Sequence, residues 1–305
     1  MTDSGSLLKA ALWMTGAITA FSSMAVAGRM VSVELDTFEL MLYRSLIGLG
    51  LVLAVGGAFG RLGEISRRQL GLHALRNVCH FTGQNLWFLA LGLIPMAQVF
   101  ALEFTSPIWV ALLAPAILGE RLTPTRALAA FIGFLGILLV ARPNPAALEP
   151  GAMAAAAAAI CFAGSALFTK RLTRSQSIVS ILFWLTAMQT VLGLACAGID
   201  GQIAWPSPAA WVPLTVIGLA GLTAHFCLTS ALSVAPASIV MPLDFLRLPV
   251  IALVGMVLYD EPLDPMVLVG AAIILGANFL NLRGEVGRPR HAGQENRMAP
   301  RRTSR

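Results

Sequence analysis

The chain has 305 residues, of which 57% are hydrophobic and 12% are charged, and its formal net charge is +6. An ordinary soluble domain carries roughly twice that charged fraction, so the composition excludes a soluble globular protein and indicates a chain solvated partly by lipid. Seven of the 21 basic residues lie between Arg283 and Arg305 together with two glutamates, so this tail supplies +5 of the net charge. The remainder is nearly neutral and does not indicate a nucleic-acid partner.

Apolar segments of about 20 residues follow one another from the N-terminus, and each can cross ~30 Å of hydrocarbon as a helix. The first ends in Ala25-Val26-Ala27, which resembles a signal-peptidase site, but the regular succession of further segments favours a membrane span. Proline, glycine or charged residues separate the segments. We predict ten transmembrane helices, near residues 9–29, 38–60, 70–93, 96–118, 124–141, 150–169, 177–198, 210–232, 236–258 and 265–282.

The distribution of basic residues predicts the orientation of these helices. Ten spans place both termini on one side of the membrane. With cytoplasmic termini, the inner loops and the tail hold 16 basic residues, and the outer loops hold only Arg29 and Arg142. Since positive charge is enriched on the cytoplasmic side, cytoplasmic termini are favoured. The tail is predicted to be disordered and to set topology, with contact to anionic lipid head groups as the alternative.

The two halves of the sequence align without a gap when one is shifted by 141 residues. The charged and proline pairs carry most weight, and they are Arg29 with Lys170, Pro95 with Pro236, Glu103 with Asp244, Glu120 with Glu261, and Pro124 with Pro265. We interpret residues 1–141 and 142–282 as two five-helix repeats and residues 283–305 as the tail. Because five is odd, the second repeat enters from the opposite side of the membrane, an arrangement that places the substrate of secondary transporters between the halves.

The third predicted span carries a polar stripe. His73, Asn77, His80 and Gln84 are spaced by four, three and four residues, which places them on one helical face, and Arg76 flanks this face. A polar stripe on a membrane helix indicates a water-lined path or a substrate-binding surface. Hydrogen bonding between helices is the alternative interpretation.

Charged residues at membrane depth are costly and mark candidate functional positions. Asp244 and Arg247 are three residues apart and can pair on one helix. We expect Glu103 to pair with Arg44 or Arg76 from a neighbouring span. These groups either fix helix register as buried ion pairs, or bind a zwitterionic solute and relay a proton. Arg44 is equally compatible with a substrate carboxylate and with a structural partner.

Aromatic and proline residues near these charges also have two interpretations. Most membrane aromatics pack against lipid or other helices, but Trp109, six residues after Glu103, is equally compatible with a cavity wall. A proline inside a span removes a backbone hydrogen bond and either acts as a gating hinge or kinks the helix statically. Four prolines lie within predicted spans: Pro107, Pro115, Pro242 and Pro249.

Three stretches of the sequence match a known family. The first is FTSPIWVALLAPAILGERLTPTRALAAFIGFLGILLVARP. The second is YDEPLDP in the second half, which repeats the acidic turn GERLTP of the first stretch, and the third is the arginine-containing LMLYRSLIG. Over about residues 8–282 the chain resembles EamA-type carriers of the drug/metabolite transporter superfamily. The resemblance implies an all-α, ten-helix carrier with two repeats in a bacterial inner membrane, from a family that moves amino acids, riboflavin, S-adenosylmethionine or sugars. The second half departs from the first by having YDE in place of GER.

The sequence therefore predicts a secondary transporter of a small polar metabolite that works by alternating access, with proton coupling through Glu103, Asp244 or His80 as a further hypothesis. A membrane sensor or scaffold is the alternative, and an enzyme is disfavoured because no HExxH, GxSxG or GxGD motif occurs. We expect no cofactor and no metal, with a small-molecule substrate and membrane lipid as partners, and leave the oligomeric state open. The candidate substrate-binding or coupling residues are Arg44, Arg76, Asn77, His80, Gln84, Glu103, Trp109, His225, Asp244 and Arg247.

Overall fold

The computed structural model describes residues 4–118, 124–141, 149–173, 175–199, 201–234, 244, 246–262 and 264–286, and the regular elements in these ranges are helical. The first half holds α1 Ser4–Val31, α2 Thr37–Ala58, α3 Leu70–Leu93, α4 Met96–Glu103, α5 Ser106–Leu118 and α6 Pro124–Ala141. The second half holds α7 Pro150–Leu172, α8 Ile178–Ala197, α9 Trp211–Val234, α10 Arg247–Tyr259 and α11 Pro265–Val286. Helix α11 extends to Val286, so residues 283–286 of the predicted disordered tail are helical. The remainder of the tail, the turn at 119–123 and Pro242 lie outside the described residues.

Short polar turns set where the helices begin. The Asp36 carboxylate accepts a hydrogen bond from the Glu39 amide at 2.8 Å, and the Glu39 side chain accepts one from the Asp36 amide at 3.1 Å. This reciprocal capping box starts α2. The Ser177 hydroxyl accepts from the Ser180 amide at 3.1 Å and starts α8 in a similar way. These two turns thus satisfy backbone donors at the starts of α2 and α8.

Five described helices are long and apolar enough to cross a membrane, and these stretches are Leu8–Val31, Thr37–Ala58, Pro150–Leu172, Ile178–Ala197 and Trp211–Leu228. Helix α3 is also long, at 24 residues, but its polar stripe lowers its hydropathy. Large apolar side chains such as Leu53, Phe131 and Val257 are exposed, as expected of a surface that faces lipid. Length, composition and surface together indicate a multi-pass membrane protein.

Most helix boundaries in the two halves differ by 141 residues. Both ends of α3 and α9 show this offset, since 70 and 93 correspond to 211 and 234. Both ends of α5 and α10 show it as well, since 106 and 118 correspond to 247 and 259. Helices α2 and α8 begin at residues 37 and 178, and α6 and α11 at 124 and 265. The offset found in the sequence is therefore also an offset in helical structure.

The most extensive helix contacts join one half of the chain to the other. They are α1 with α9, α3 with α7, α6 with α11, and α2 with α8. When the halves are exchanged through the 141-residue offset, the first two pairs convert into each other and the other two map onto themselves. Glycine allows the closest approach: a Cβ placed at Gly193 of α8 would lie 2.9 Å from the Cα of Leu42 in α2. The interface between the halves is thus the main packing surface.

The fourth predicted span is two helices. Helix α4 ends at Glu103 and α5 begins at Ser106, and the Thr105 amide donates to the Leu102 carbonyl at 3.1 Å in the turn between them. Pro107 lies at the second position of α5, where its missing N–H costs no helical hydrogen bond. The offset places Asp244 and the start of α10 at Arg247 at the equivalent positions. Both acidic residues therefore lie immediately before the start of a helix segment.

Candidate functional site

The polar stripe of α3 lies in the protein interior. His73, Asn77, His80 and Gln84 are all buried. The Asn77 amide donates to the carbonyl of His73 at 2.8 Å and to the carbonyl of Trp184 in α8 at 3.2 Å. Asn77 therefore forms the helix-to-helix hydrogen bond of the alternative interpretation. The His73 and His80 rings contact Trp184 and Phe162 of the second half. Both His73 ring nitrogens, His80 Nε2 and Gln84 Oε1 are buried without a hydrogen-bond partner among the described residues.

Two arginines lie in the same interior. Arg44 of α2 is 6% exposed and donates through Nη1 to the Gln189 Oε1 of α8 at 3.2 Å. Arg76 of α3 is 4% exposed and donates to the Thr169 hydroxyl of α7 at 3.1 Å and to the side-chain Oδ1 of Asn77 at 3.3 Å. Within the described part of the chain neither guanidinium forms an ion pair. We call Arg44, Arg76, Asn77 and Gln189 the arginine layer.

Two histidines from opposite halves meet beside the arginine layer. The ring centroids of His80 and His225 are 5.2 Å apart. Phe162 packs on His80 at 5.8 Å, and Phe21 packs on His225 at 5.7 Å. Phe21 and Phe162 are related by the 141-residue offset. The imidazole pair therefore lies where the two halves meet, with an equivalent aromatic ring from each half against it.

A small cavity opens onto the Arg44 side of this region. Its walls include Arg44, Gln189, Thr186, Gly221 and His225, and the centre of a water-sized sphere can occupy ≈ 10 Å³ of it. That space holds about one water molecule. The cavity combines the polar side chains of Arg44, Gln189, Thr186 and His225 with a glycine wall, and its volume is smaller than that of a metabolite.

A second charged cluster lies near the starts of α5 and α10 and links the two halves. One Arg247 amino group, Nη2, donates to Glu103 Oε1 and to Asp244 Oδ2, each at 3.0 Å. The Trp87 indole donates to Glu103 Oε2 at 2.9 Å. Arg247 is 4% exposed, and three phenylalanine rings surround its guanidinium with centroids 4.8–5.2 Å away. We call Glu103, Asp244 and Arg247 the acidic triad, because two carboxylates share one cation.

The partner expected for Glu103 was wrong. Glu103 binds Arg247 from the other half, and neither Arg44 nor Arg76 forms an ion pair with it. The expected pair between Asp244 and Arg247 does form. The three-residue spacing predicted that pair because it is local, whereas the Glu103 contact depends on how helices of the two halves pack.

Trp109 does not reach Glu103. Its indole donates to the Thr105 hydroxyl at 3.2 Å, and its side chain is half-buried. Trp87, sixteen residues before Glu103, is the indole that reaches the carboxylate. Sequence reasoning also missed Gln189, which stands out in α8 as an amide within the apolar stretch LTAMQTVLG. Polarity at membrane depth was the signal that could have found it.

An ion pair also closes one end of the interface between the halves. Arg29, near the end of α1, pairs with Glu261, which lies between α10 and α11, and donates to the Ile94 carbonyl at 3.1 Å. Glu261 also accepts from the Met96 amide at 2.9 Å. The Arg29 guanidinium lies 5.0 Å from the centre of the Tyr259 ring. This contact locks the end of α1, the start of α4 and the loop before α11 together.

The chain is similar in sequence to named transporters. The riboflavin transporter of Brucella anthropi is 34% identical over 226 residues, which cover 73% of this chain and 80% of that relative. The S-adenosylmethionine uptake transporter of Rickettsia bellii is 23% identical over 275 residues, which cover 90% and 93%. One solved crystal structure has a TM-score of 0.63 and 21% identity over 92% of this chain and 99% of its own, which shows a shared fold.

The family comparison also reproduces the repeat. The model of the EamA-like transporter family matches residues 8–142 and again residues 149–283. The starts and the ends of the two matches differ by the same 141 residues as the helix boundaries. The chain therefore belongs to the EamA-like transporter family and carries two copies of its domain.

Proposed function

We propose that this transporter moves a small polar metabolite by alternating access between two inverted five-helix repeats, residues 1–141 and 142–282. The observation that carries the proposal is the contact pattern: the most extensive helix contacts join the repeats, and the polar groups lie between them. Rocking of one repeat against the other then opens the polar region to one side of the membrane at a time.

Ten spans are supported by helix lengths as well as by the five long apolar helices. At 1.5 Å per residue, α3 is about 36 Å long and α11 about 33 Å, which exceeds the ~30 Å of hydrocarbon, and α6, at 18 residues, lies within the length range of membrane-spanning helices. The α4–α5 segment of 23 residues is long enough when its break is included. Discontinuous backbone at membrane depth is tolerated where it is buried in protein or lines a cavity.

The odd number of helices in each repeat supports inverted topology, and the basic loops support cytoplasmic termini in a bacterial inner membrane. In that orientation α1 runs outward, so Arg29 and Glu261 lie at the outer end of the interface. Their ion pair closes this end, and opening toward the outside requires that it separate. Since the cavity at Arg44 holds about one water molecule, the conformation described is closed to a metabolite at that depth as well.

Crosslinking the outer end tests alternating access. In a variant without the four native cysteines, Arg29→Cys and Glu261→Cys are joined by a flexible bifunctional thiol reagent in proteoliposomes. We expect transport to stop on crosslinking and to return when the crosslink is cleaved. Arg61→Cys with Glu64→Cys, which lie within one surface turn, is the matched control for reagent effects. Undiminished transport by the crosslinked protein would reject opening at this end.

The names of the relatives indicate which solutes to test first. Riboflavin and S-adenosylmethionine differ in charge, and each is measured as labelled-solute counterflow in proteoliposomes, followed by thermal-shift competition with a wider metabolite panel. Saturable counterflow that is absent from protein-free vesicles is the expected result for a substrate. If no solute that stabilises the protein is transported, the sensor or scaffold interpretation replaces the carrier.

Proton coupling is a further part of the proposal, with Glu103, Asp244 and His80 as the groups concerned. Burial of two carboxylates that share one cation supports it, since uptake of one proton would balance the acidic triad. We expect an imposed pH gradient to drive accumulation and Glu103→Gln to abolish that response. Glu64→Gln, at an exposed carboxylate, is the control. Accumulation that is indifferent to the gradient would reject coupling.

A further inference from the structure

The arginine layer contains donors that no protein group uses. Arg44 Nε and Gln189 Nε2 are buried and have no hydrogen-bond partner. The Arg44 side chain is 6% exposed and the Gln189 side chain 1% exposed, so bulk water does not solvate them either. Native structures satisfy nearly all buried polar groups, and an unsatisfied one therefore calls for an explanation.

The charge of this layer is also uncompensated within the described residues. Glu103 and Asp244 bind Arg247, and Glu261 binds Arg29. The carboxylate nearest along α2, Glu39, accepts hydrogen bonds from the backbone amides of Asp36 and Ala204. The partners shown for Arg44 and Arg76 are instead neutral oxygens of Gln189, Thr169 and Asn77 and the sulfur of Met41. A buried cation without a counterion is among the costliest arrangements in a membrane interior.

The second repeat leaves space for the Arg44 guanidinium. A Cβ placed at Gly221 of α9 would lie 2.9 Å from Arg44 Nη2 and 3.1 Å from its Nε. The 141-residue offset relates Gly221 to His80, so one repeat supplies an imidazole where the other supplies room. Similarly, Arg44 corresponds to Leu185. The geometry thus produces one cationic site instead of two equivalent ones.

We propose that Arg44 and Gln189, with His225 across the cavity and Arg76 nearby in the arginine layer, form a subsite for an oxyanion of the transported solute, a carboxylate or a phosphate. A planar guanidinium fork and an adjacent amide donor match two oxygens of such a group. This inference rests on the proposed function, because the oxyanion belongs to the transported solute. The cavity described holds about one water molecule, so the solute enters when the repeats separate.

Binding of matched solutes tests the subsite. Nicotinate and nicotinamide differ by a carboxylate and an amide on the same ring, and riboflavin 5′-phosphate and riboflavin differ by a phosphate. For at least one pair we expect the purified full-length protein to bind the anionic member at least about tenfold more tightly. Equal affinity for both members of both pairs would overturn the proposal.

Variants assign the preference to Arg44. Arg44→Gln removes the charge and is expected to abolish the anion preference. Arg44→Lys keeps a charge but loses the guanidinium fork, and it should retain part of the anion preference. Because it removes an uncompensated cation, Arg44→Gln should leave the ligand-free protein at least as heat-stable as the wild type. Arg61→Gln, at an exposed arginine, is the matched control and should keep the full preference. An anion preference that survives Arg44→Gln would contradict the assignment.

A second variant covers the case in which Arg44→Gln does not fold. Gly221→Ala displaces the Arg44 guanidinium without removing its charge, and it should reduce the anion preference by about the same factor as Arg44→Gln. Transport without anion preference would refute the subsite and keep the carrier. Anion preference without transport would keep the subsite and refute the carrier, so the two proposals fail separately.

Discussion

Two clusters of buried charge lie between the halves, and they are balanced in opposite ways. In the acidic triad one guanidinium serves two carboxylates and three aromatic rings cover it. In the arginine layer two guanidiniums contact neutral groups, and buried donors remain unused. A cluster that satisfies itself stabilises the conformation it is found in, whereas a cluster that lacks its counterion is stabilised by a ligand. Under the proposals above, the acidic triad acts as a lock that holds the conformation described until one of its carboxylates takes up a proton, whereas the arginine layer acts as a binding site.

The largest effect is expected from a substitution in the acidic triad, whose charges are paired. Arg247→Gln leaves two buried carboxylates without their cation, and we expect it to destabilise the protein by about 3–5 kcal/mol. Thermal unfolding in detergent measures the loss. Arg44→Gln is the matched control, since it removes a buried arginine that has no carboxylate partner among the described residues. If the two substitutions destabilise the protein equally, the distinction between lock and binding site is wrong.

A smaller effect concerns the indole that supports the triad. Trp87→Phe removes a hydrogen bond to a charged acceptor and should cost about 2 kcal/mol of unfolding free energy. Trp109→Phe, which removes a bond to the neutral Thr105 hydroxyl, should cost about 1 kcal/mol or less. Chemical denaturation of the two variants side by side gives the comparison. Equal losses would show that the charge on Glu103 contributes little to the Trp87 bond.

The Arg29–Glu261 pair extends the comparison to the end of the interface. A double-mutant cycle with Arg29→Gln and Glu261→Gln should give a coupling free energy of about 1 kcal/mol, because both side chains are mostly buried. Exchanging the two residues, Arg29→Glu with Glu261→Arg, should recover part of the transport that either single reversal removes. Transport as low in the exchange variant as in the single reversals would show that the contact needs more than opposite charge.

The smallest effect is expected at the exposed pair of Arg61 and Glu64. A hydrogen bond from Arg61 holds the pKa of Glu64 below its ordinary value. The pair therefore stabilises the protein above the unfolded pKa of a glutamate, and that contribution disappears as the pH falls through the lower folded pKa. Unfolding midpoints of wild type and Arg61→Gln, measured from pH 7 downward, should converge on acidification. A gap that widens at low pH would contradict this sign.

The sequence was sufficient to predict where helices lie because caps, prolines and apolar length are local. The predicted segments 70–93 and 124–141 agree with α3 and α6 at both ends. The family and the duplication were also recoverable, since the 141-residue offset needs only an alignment of the chain with itself. The role of the α3 stripe as a substrate surface stays a prediction.

Contacts between the repeats were harder to predict. The wrong partner for Glu103 shows why: Arg247 reaches it from the other repeat, and spacing along one helix carries no information about that packing. Gln189 was missed for the same reason, since its role depends on Arg44 lying opposite. Helix α3 also shows a conflict within the sequence, because the polar side chains that make it a candidate site lower the hydropathy by which a span is recognised.

The unequal repeats have a consequence for the ancestry of the fold. Arg44, His80 and Gln189 correspond to Leu185, Gly221 and Gly48 in the other copy, so each of these polar side chains has an apolar counterpart. An antiparallel homodimer of either five-helix unit would carry every such group twice or not at all. One polypeptide with two unequal copies is free of that constraint, and a chimera with two identical halves should therefore assemble a symmetric interface that lacks the arginine layer.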